Sequence, residues 1–254
     1  MEDPLANFPF DSQMLSCNNQ GVFPDLAIKI NTIGTDFRGG ELIELKDSKS
    51  YTVSSFNSTI PAGRKEIGKV IKGENSVIKR QMEEAGDDID SLPIRDVYYL
   101  IRGKSSGNVK VVLVHGSFFE TINSSSLISQ SFEQVLEERL KEKGLNIGNN
   151  IKELLVDIFS EQENFSRVRN VDKASVRLRF RIMTEVKAEG NILNTRKYPA
   201  IKDNTINLVI PCHSSDEEKL TIQHFSMTCC LEHFTLQKIK HHLNGYFTVF
   251  QQDL

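Results

Sequence analysis

Three charged residues lie inside two apolar runs, where ionised side chains are unusual. Asp25 falls in "VFPDLAIKI" (residues 22–30), and Glu44 and Lys46 fall in "ELIELKD" (residues 41–47). Buried strands rarely carry ionised groups unless these are paired or bind a metal. A turn-rich segment separates the two runs, which are rich in apolar and β-branched residues, so they predict the two strands of a hairpin.

The register of this hairpin brings the two acids together. A loop centred near residue 35 pairs positions whose numbers sum to about 70, and Asp25 with Glu44 gives 69. Directly opposed residues have Cβ atoms about 4.5–5.5 Å apart, and two carboxylates this close repel each other unless a cation lies between them. Oxygen ligands of this kind suit Mg²⁺. The alternative is a surface hairpin whose charges face solvent.

Alternation along the second strand places Lys46 beside the acid pair. Leu42, Glu44 and Lys46 share one face of the strand. From there Lys46 would orient a water or offset charge on a phosphoryl oxygen. The opposite face is expected to pack against helices; it consists of Glu41, Ile43 and Leu45.

The order Pro24-Asp25, then Glu44-Leu45-Lys46, resembles the motif of the PD-(D/E)XK nuclease superfamily. The polar loop and proline in "SSFNSTIPAGRKE" (residues 54–66), followed by "VYYLI" on a strand, is similar to type II restriction endonucleases of this superfamily. The resemblance covers residues 22–115.

The resemblance implies a fold, an activity and a set of site residues. The fold is an α/β, restriction-endonuclease-like mixed central sheet flanked by helices, and the activity is Mg²⁺-dependent cleavage of double-stranded DNA. Asp25, Glu44 and the backbone carbonyl of Leu45 would hold the metal, and Lys46 would be the third catalytic residue. A homodimer matching a two-fold symmetric site is also implied.

One departure concerns a further acid. Many relatives carry it on a helix before the Pro-Asp strand, yet about twenty residues precede that strand in this chain. Glu2, Asp3 and Asp11 are poor substitutes. Asp36 is a rival metal ligand, but it lies eight residues before Glu44 and is expected inside the turn.

Basic residues are gathered in two stretches despite a net charge of −3. Residues 167–202 contain ten Lys/Arg against three Asp/Glu, and in "ASVRLRFRIMTEV" (residues 174–186) alternation predicts a strand with an arginine face. Arginine pairs with phosphate and guanine through two parallel hydrogen bonds. The alternative is a solvated outer face. The residues predicted to contact DNA are Asn57, Ser58, Thr59, Arg64, Lys65, Arg177, Arg179 and Arg181.

Other patterns give weaker signals. The acidic run "EEAGDDID" (residues 83–90) is expected to be a solvated helix end and loop. A zinc site is not expected from the Cys/His-rich C-terminal part, because its spacing lacks the usual paired knuckles; its candidates are Cys212, Cys229, Cys230 and His233. No P-loop or G-x-G-x-x-G accompanies Gly39-Gly40, so no nucleotide cofactor is expected.

The segment pattern predicts one mixed α/β domain over residues 1–254. Its nuclease core spans residues 15–145, and residues 146–254 form a β-rich extension for DNA recognition and dimerisation. Helices are expected over residues 75–86, 126–143 and 150–161. No signal peptide or membrane span is predicted, and four cysteines without framework spacing favour a cytoplasmic protein, bacterial or archaeal by the resemblance.

Two other functions remain open. A repair or recombination nuclease on the same core would recognise DNA structure rather than sequence. A non-catalytic DNA-binding protein would keep the fold without the chemistry.

Overall fold

The computed structural model describes most of the chain, and the fold is given for those parts. They are residues 14–17, 23–31, 38–53, 61–71, 76–120, 124–160, 168–171, 174–176, 190–228 and 233–254. Contacts divide the chain into two compact units. The first consists of residues 1–54, 61–121 and 186–254, and the second of residues 55–60 and 122–185. The single-domain organisation stays a prediction.

The first unit is built around a mixed sheet that has nine strands within the described residues. Numbered in chain order through both units, they are β1 (Leu15–Cys17), β2 (Leu26–Ile28), β3 (Leu42–Ser48), β4 (Arg64–Glu66), β5 (Ile94–Ser105), β6 (Asn108–His115), β9 (Thr205–Cys212), β10 (Thr235–His241) and β11 (Gly245–Asp253).

The sheet order is β1-β2-β3-β5-β6-β9-β11-β10, and β4 pairs with the start of β5. β3 runs parallel to β5 and β6 parallel to β9, whereas the other neighbours are antiparallel. The prediction of a mixed α/β fold with a mixed sheet is therefore confirmed.

Helices of the first unit are α1 (Ile67–Val70), α2 (Val77–Glu84) and α5 (Ser215–Thr228). The Ser76 side chain caps α2 by accepting a hydrogen bond from the backbone of Lys79 at 3.4 Å, and Gly86 follows its end in the left-handed region at φ 70°. The predicted helix over residues 75–86 is confirmed. On α5, the Phe225 ring packs 4.2 Å from the Phe250 ring of β11.

The second unit contains α3 (Ser124–Glu142), α4 (Asn149–Ser160), β7 (Val168–Val171) and β8 (Ala174–Val176). Both predicted helices of this region are confirmed, and Gly144 follows α3 at φ 65°. Of the strand predicted over residues 174–186, the described part is β8; the remainder lies outside the described residues. Within the described chain, no helix has both the length and the apolar character to cross a membrane.

An ion pair lies inside the core of the first unit. The side chains of Arg95 and Asp87 are 0% and 1% exposed, and Nη1 lies 3.3 Å from Oδ2. The second carboxylate oxygen of Asp87 accepts a hydrogen bond from the backbone of Ile30 at 3.2 Å. The expectation of a solvated helix end and loop at residues 83–90 was therefore wrong for Asp87, which pairs with Arg95 and Ile30 in the core.

Candidate active site

The hairpin of β2 and β3 has the register that the sequence predicts. Leu26 pairs with Ile43 and Ala27 with Leu42, so the two residue numbers of each pair add up to 69. The same register places Asp25, just before β2, opposite Glu44. Two glycines before β3, Gly39 at φ 70° and Gly40 at φ 97°, have left-handed backbone conformations that let the chain reverse its direction.

Asp25, Glu44 and Lys46 are connected by short contacts. The backbone N–H of Leu45 donates a hydrogen bond of 2.8 Å to Oδ2 of Asp25, which holds this carboxylate against β3. The Lys46 ammonium donates a hydrogen bond of 2.6 Å to Oε1 of Glu44. Glu44 is buried, and the Lys46 side chain is 24% exposed. Solvent therefore reaches the lysine side of the pair.

The Glu44 carboxyl is in an environment that disfavours its charge. Burial raises the pKa of Glu44; the Lys46 ammonium opposes this rise, and the Asp25 carboxylate adds to it. The second oxygen of Glu44, Oε2, is buried and has no hydrogen-bond partner among the described residues. An unsatisfied buried acceptor costs free energy, so this atom is suited to bind a cation.

These residues fit a hard divalent cation with an incomplete protein ligand set. Two carboxylates and a strand carbonyl offer oxygen ligands, and Mg²⁺ is commonly held by one or two carboxylates while keeping several waters. Across the described residues, no group of three or more His, Cys, Asp or Glu is placed to hold a metal ion.

The buried face of β3 differs from the expectation. Leu42 is 0% and Glu44 6% exposed, whereas Leu45 on the other face is 45% exposed. The prediction that Glu41, Ile43 and Leu45 form the packed face was wrong. The parallel neighbour β5 explains the difference, because Val97, Tyr99 and Ile101 continue the buried face of Leu42 and Glu44 across the sheet.

Tyr99 is a neighbour of the acid pair that sequence reasoning missed. It lies opposite Glu44 in the β3–β5 ladder and is 1% exposed. Burial raises the pKa of Tyr99, and the charges of Glu44 and Glu120 raise it further, so the phenol stays neutral. Glu120 accepts a hydrogen bond of 2.8 Å from the backbone of Gly63. Alternation along β5 indicates the buried position of Tyr99, but no local signal points to Glu120.

Arg64, one of the predicted DNA contacts, belongs to a second cluster. Its Nε donates a hydrogen bond of 2.7 Å to Oδ1 of Asp96, and Nε2 of His115 lies 3.6 Å from the same oxygen. The other ring nitrogen of His115 lies 2.8 Å from the Ser117 hydroxyl. His115 and Arg64 together lower the pKa of Asp96. No local pattern in the sequence indicates this cluster, because its residues come from three separate strands, β4, β5 and β6.

Lys65, another predicted DNA contact, lies against an aromatic ring, and the remaining predicted site residues fall outside the described part of the chain. The Lys65 ammonium lies over the Phe23 ring, 5.2 Å from its centroid. The other predictions fall outside the described residues and stay predictions. They are Asn57, Ser58, Thr59, Arg177, Arg179, Arg181 and the alternative acids Glu2, Asp3, Asp11 and Asp36.

The C-terminal histidines and cysteines include residues of the core. His241 is buried among aromatic rings, with the Phe118 ring 4.8 Å away. Its Nδ1 accepts hydrogen bonds from the backbone of Leu243 and Asn244 at 3.2 and 3.0 Å. Burial lowers the pKa of His241 to about 4, so the ring is neutral at pH 7. Cys212 is also buried, whereas Cys229 and Cys230 lie outside the described residues.

Comparison of the chain with models of protein families, with curated proteins and with solved structures finds no match.

Proposed function

We propose that the protein is a Mg²⁺-dependent endonuclease that cleaves double-stranded DNA at a specific sequence, with a fold like that of the restriction endonucleases. The observation that carries this proposal is the meeting of Asp25, Glu44 and Lys46 at one hairpin. Glu44 there combines a raised pKa with a buried oxygen that lacks a partner. Glu41 also combines a raised pKa with a buried oxygen that lacks a partner, so the contacts of Glu44 with Asp25 and Lys46, and not its burial alone, distinguish it.

Asp25, Glu44 and the carbonyl of Leu45 would hold the metal. A bound divalent ion would supply Lewis-acid polarisation of a phosphoryl oxygen and a lowered pKa of a coordinated water. The chain orients this donor set through the Leu45 N–H, which fixes Asp25, and through β5, which covers the other side of Glu44 with Tyr99.

Lys46 would act on the phosphate. Its ammonium contacts Oε1 of Glu44 and is partly exposed, so it can donate a hydrogen bond to a phosphoryl oxygen next to the acid pair. Additional negative charge develops on that oxygen as water attacks the phosphorus, and a fixed cation stabilises it. The Glu44 carboxylate keeps the ammonium in place through their short hydrogen bond.

Sequence specificity, a homodimer and action in a bacterial or archaeal cytoplasm rest on the resemblance to type II restriction endonucleases. A symmetric dimer would match a palindromic site. The predicted arginine strand of residues 174–186 would supply base and phosphate contacts.

The test is cleavage of plasmid DNA with Mg²⁺ by wild type, Asp25→Ala, Glu44→Gln and the control Glu84→Gln. Glu84 is an exposed acid on α2, so its amide variant removes one charge away from the site. We expect discrete fragments from wild type and Glu84→Gln, and none from the two site variants.

The other outcomes separate the alternatives. A smear from wild type, or cleavage at branched DNA alone, would favour a repair or recombination nuclease. Binding without cleavage would favour a non-catalytic DNA-binding protein. Full activity in Asp25→Ala would exclude Asp25 as a ligand and favour Asp36.

A further inference from the structure

A second group of connected polar side chains lies on the sheet face opposite the candidate active site. Tyr98 and Tyr99 are consecutive residues of β5, so their side chains point to opposite faces. Glu44 lies next to Tyr99, whereas His115 at the end of β6 lies next to Tyr98. His115 is therefore on the other side of the sheet from Glu44, and its contacts need a separate explanation.

The contacts of His115 fix the position of its ring proton. The backbone N–H of Ser117 donates to Nδ1 at 3.4 Å, and because a backbone N–H can only donate, Nδ1 carries no proton. In the neutral ring the proton is therefore on Nε2, which lies 3.6 Å from Oδ1 of Asp96. The Ser117 hydroxyl lies 2.8 Å from Nδ1, so it donates its proton towards the ring.

This arrangement supplies a nucleophile, a base and a group that orients the base. A serine hydroxyl that donates to an imidazole nitrogen can lose its proton to that nitrogen as it attacks an electrophile. The Asp96 carboxylate would stabilise the imidazolium that results, and Arg64 holds this carboxylate through a hydrogen bond of 2.7 Å. The contact of 3.6 Å between His115 and Asp96 is long for a hydrogen bond, but such contacts often shorten when a substrate binds.

The serine and the histidine are held in place by close packing. A Cβ atom at Gly63 would lie 2.8 Å from Cε1 of His115 and 3.0 Å from Cβ of Ser117, so the chain just before β4 passes directly over both residues. The Tyr98 ring contacts the imidazole edge to face, with the ring centroids 5.2 Å apart. The Asn244 side chain donates to the Ser117 carbonyl at 2.9 Å, which fixes the turn that carries the serine. Reactive side chains need to be fixed in this way.

Solvent reaches both ends of this group of side chains. Ser117 is half-buried, so a small molecule from solution can approach it, and the side chains of Asp96 and Arg64 are 42% and 73% exposed. His115 between them is buried. Capping of the 3₁₀ turn Gly116–Phe118 explains why the ring accepts from a backbone N–H. It does not require the contacts of the ring with the serine hydroxyl and with Asp96.

We propose that Ser117, His115 and Asp96 form a second reactive site, at which Ser117 attacks carboxylic esters. Its Oγ forms a bond to the carbonyl carbon, and the hydroxyl proton passes to Nδ1 of His115. The alcohol oxygen then leaves with that proton, and the acyl group remains on Ser117. Water attacks the acyl group with the same nitrogen as base, and release of the carboxylic acid restores the serine. The reaction consumes only ester and water, and it does not depend on the proposed nuclease activity.

The test is labelling of the full chain with a fluorophosphonate, followed by mass spectrometry of its peptides. Attack by the serine oxygen forms a bond to phosphorus and expels fluoride, so the adduct stays on the serine. We expect wild type to be labelled at Ser117, Ser117→Ala to lack this label, and the control Ser105→Ala to match wild type. Ser105 is a half-buried serine at the other end of β5.

Further variants test the histidine and the acid. His115→Gln keeps an acceptor for the Ser117 N–H but removes the base, so the rate of labelling should fall about 10²–10⁴-fold, the usual contribution of a general base. Asp96→Asn should also be labelled more slowly, and Asp96→Glu, which retains a carboxylate, should keep more of the rate. Circular dichroism and the melting temperature show whether each variant is folded.

No label at Ser117 in wild type, or equal rates in wild type and folded His115→Gln, would overturn the inference. If His115→Gln does not fold, equal rates in wild type, Asp96→Asn and Asp96→Glu would overturn it instead. Release of p-nitrophenol from p-nitrophenyl acetate tests the substrate class. Wild type should exceed Ser117→Ala in this assay, and equal release by the two proteins would overturn the assignment of esters.

Discussion

Two acid–base pairs with buried carboxylates lie in the same unit and differ in how completely their polar atoms are hydrogen-bonded. Arg95–Asp87 is enclosed, with side chains 0% and 1% exposed, and Asp87 also accepts from the backbone of Ile30. Arg95 donates further to the carbonyls of Ile89 and Leu92, both at 3.4 Å. Its charge is thus shared among several acceptors.

The pair Lys46–Glu44 is shorter but incomplete. The ammonium is partly exposed, one carboxylate oxygen of Glu44 lacks a partner among the described residues, and Asp25 adds a like charge. A network whose polar atoms are all hydrogen-bonded stabilises one arrangement of the core, whereas an incompletely bonded network next to solvent can bind a ligand. The polar atoms that remain without hydrogen bonds therefore indicate the role of a charged pair better than its burial does.

The largest expected effect comes from breaking the closed pair. Arg95→Met leaves Asp87 buried without its cation, which typically costs about 3–5 kcal/mol of the free energy of unfolding. Urea denaturation followed by circular dichroism measures this loss. Arg102→Met removes an exposed arginine from the same strand and should change stability little. A variant Arg95→Met as stable as wild type would contradict the structural role of the pair.

Breaking the open pair should affect rate more than stability. Lys46→Ala is expected to lower the cleavage rate about 10²–10³-fold, since a single fixed group acting on the transition state contributes this much. Non-specific DNA binding in Ca²⁺ should fall slightly, because one lysine neutralises a small part of the phosphate charge. Parallel cleavage and binding assays measure both, and equal losses in the two would contradict a role in chemistry.

A smaller effect is expected in how the stability of the Glu44 variant depends on pH. Burial raises the pKa of Glu44 above its unfolded value. The Glu44 carboxyl therefore makes its full contribution to the free energy of unfolding below its unfolded pKa. It loses this contribution as pH rises through its pKa in the folded protein. In metal-free buffer at pH 7, Glu44→Gln should melt at a higher temperature than wild type, and this advantage should vanish at pH 4.

The effect of Mg²⁺ on the melting temperature provides a second test with the Glu44→Gln variant. Mg²⁺ should raise the melting temperature of wild type and leave Glu44→Gln unchanged, because a ligand that binds the folded state stabilises it. Equal responses to Mg²⁺ in the two proteins would remove Glu44 from the metal site.

The smallest effect is expected in the cluster of Arg64, Asp96 and His115, in which the two acid–base partners Arg64 and Asp96 are exposed and His115 is buried. The side chains of Arg64 and Asp96 are 73% and 42% exposed, and exposed pairs typically contribute about 0–1 kcal/mol. Asp96→Asn should therefore cost less than about 1 kcal/mol in thermal or urea denaturation. Because His115, and to a smaller extent Arg64, lower the pKa of Asp96, this small contribution should be present at pH 7 and lost as pH falls through the folded pKa.

Local patterns were sufficient for much of the architecture and for the candidate site. Side-chain alternation and the length of the turn fixed the register of β2 and β3, and with it the meeting of Asp25 and Glu44. Ser76 and Gly86 delimit α2, and two left-handed residues join β5 to β6. These features depend on neighbours within a few residues, so the sequence determines them directly.

Tertiary structure decided which side of each element is covered. A period of two defines two faces of β3 but does not say that β5, some fifty residues later, continues the face of Leu42 and Glu44. The acidic run after α2 looked solvated because its cation, Arg95, comes from another element. Parallel pairing brought Tyr99 against Glu44 and Lys104 next to Lys49, since such contacts arise from packing of distant segments and leave no periodic trace in the chain.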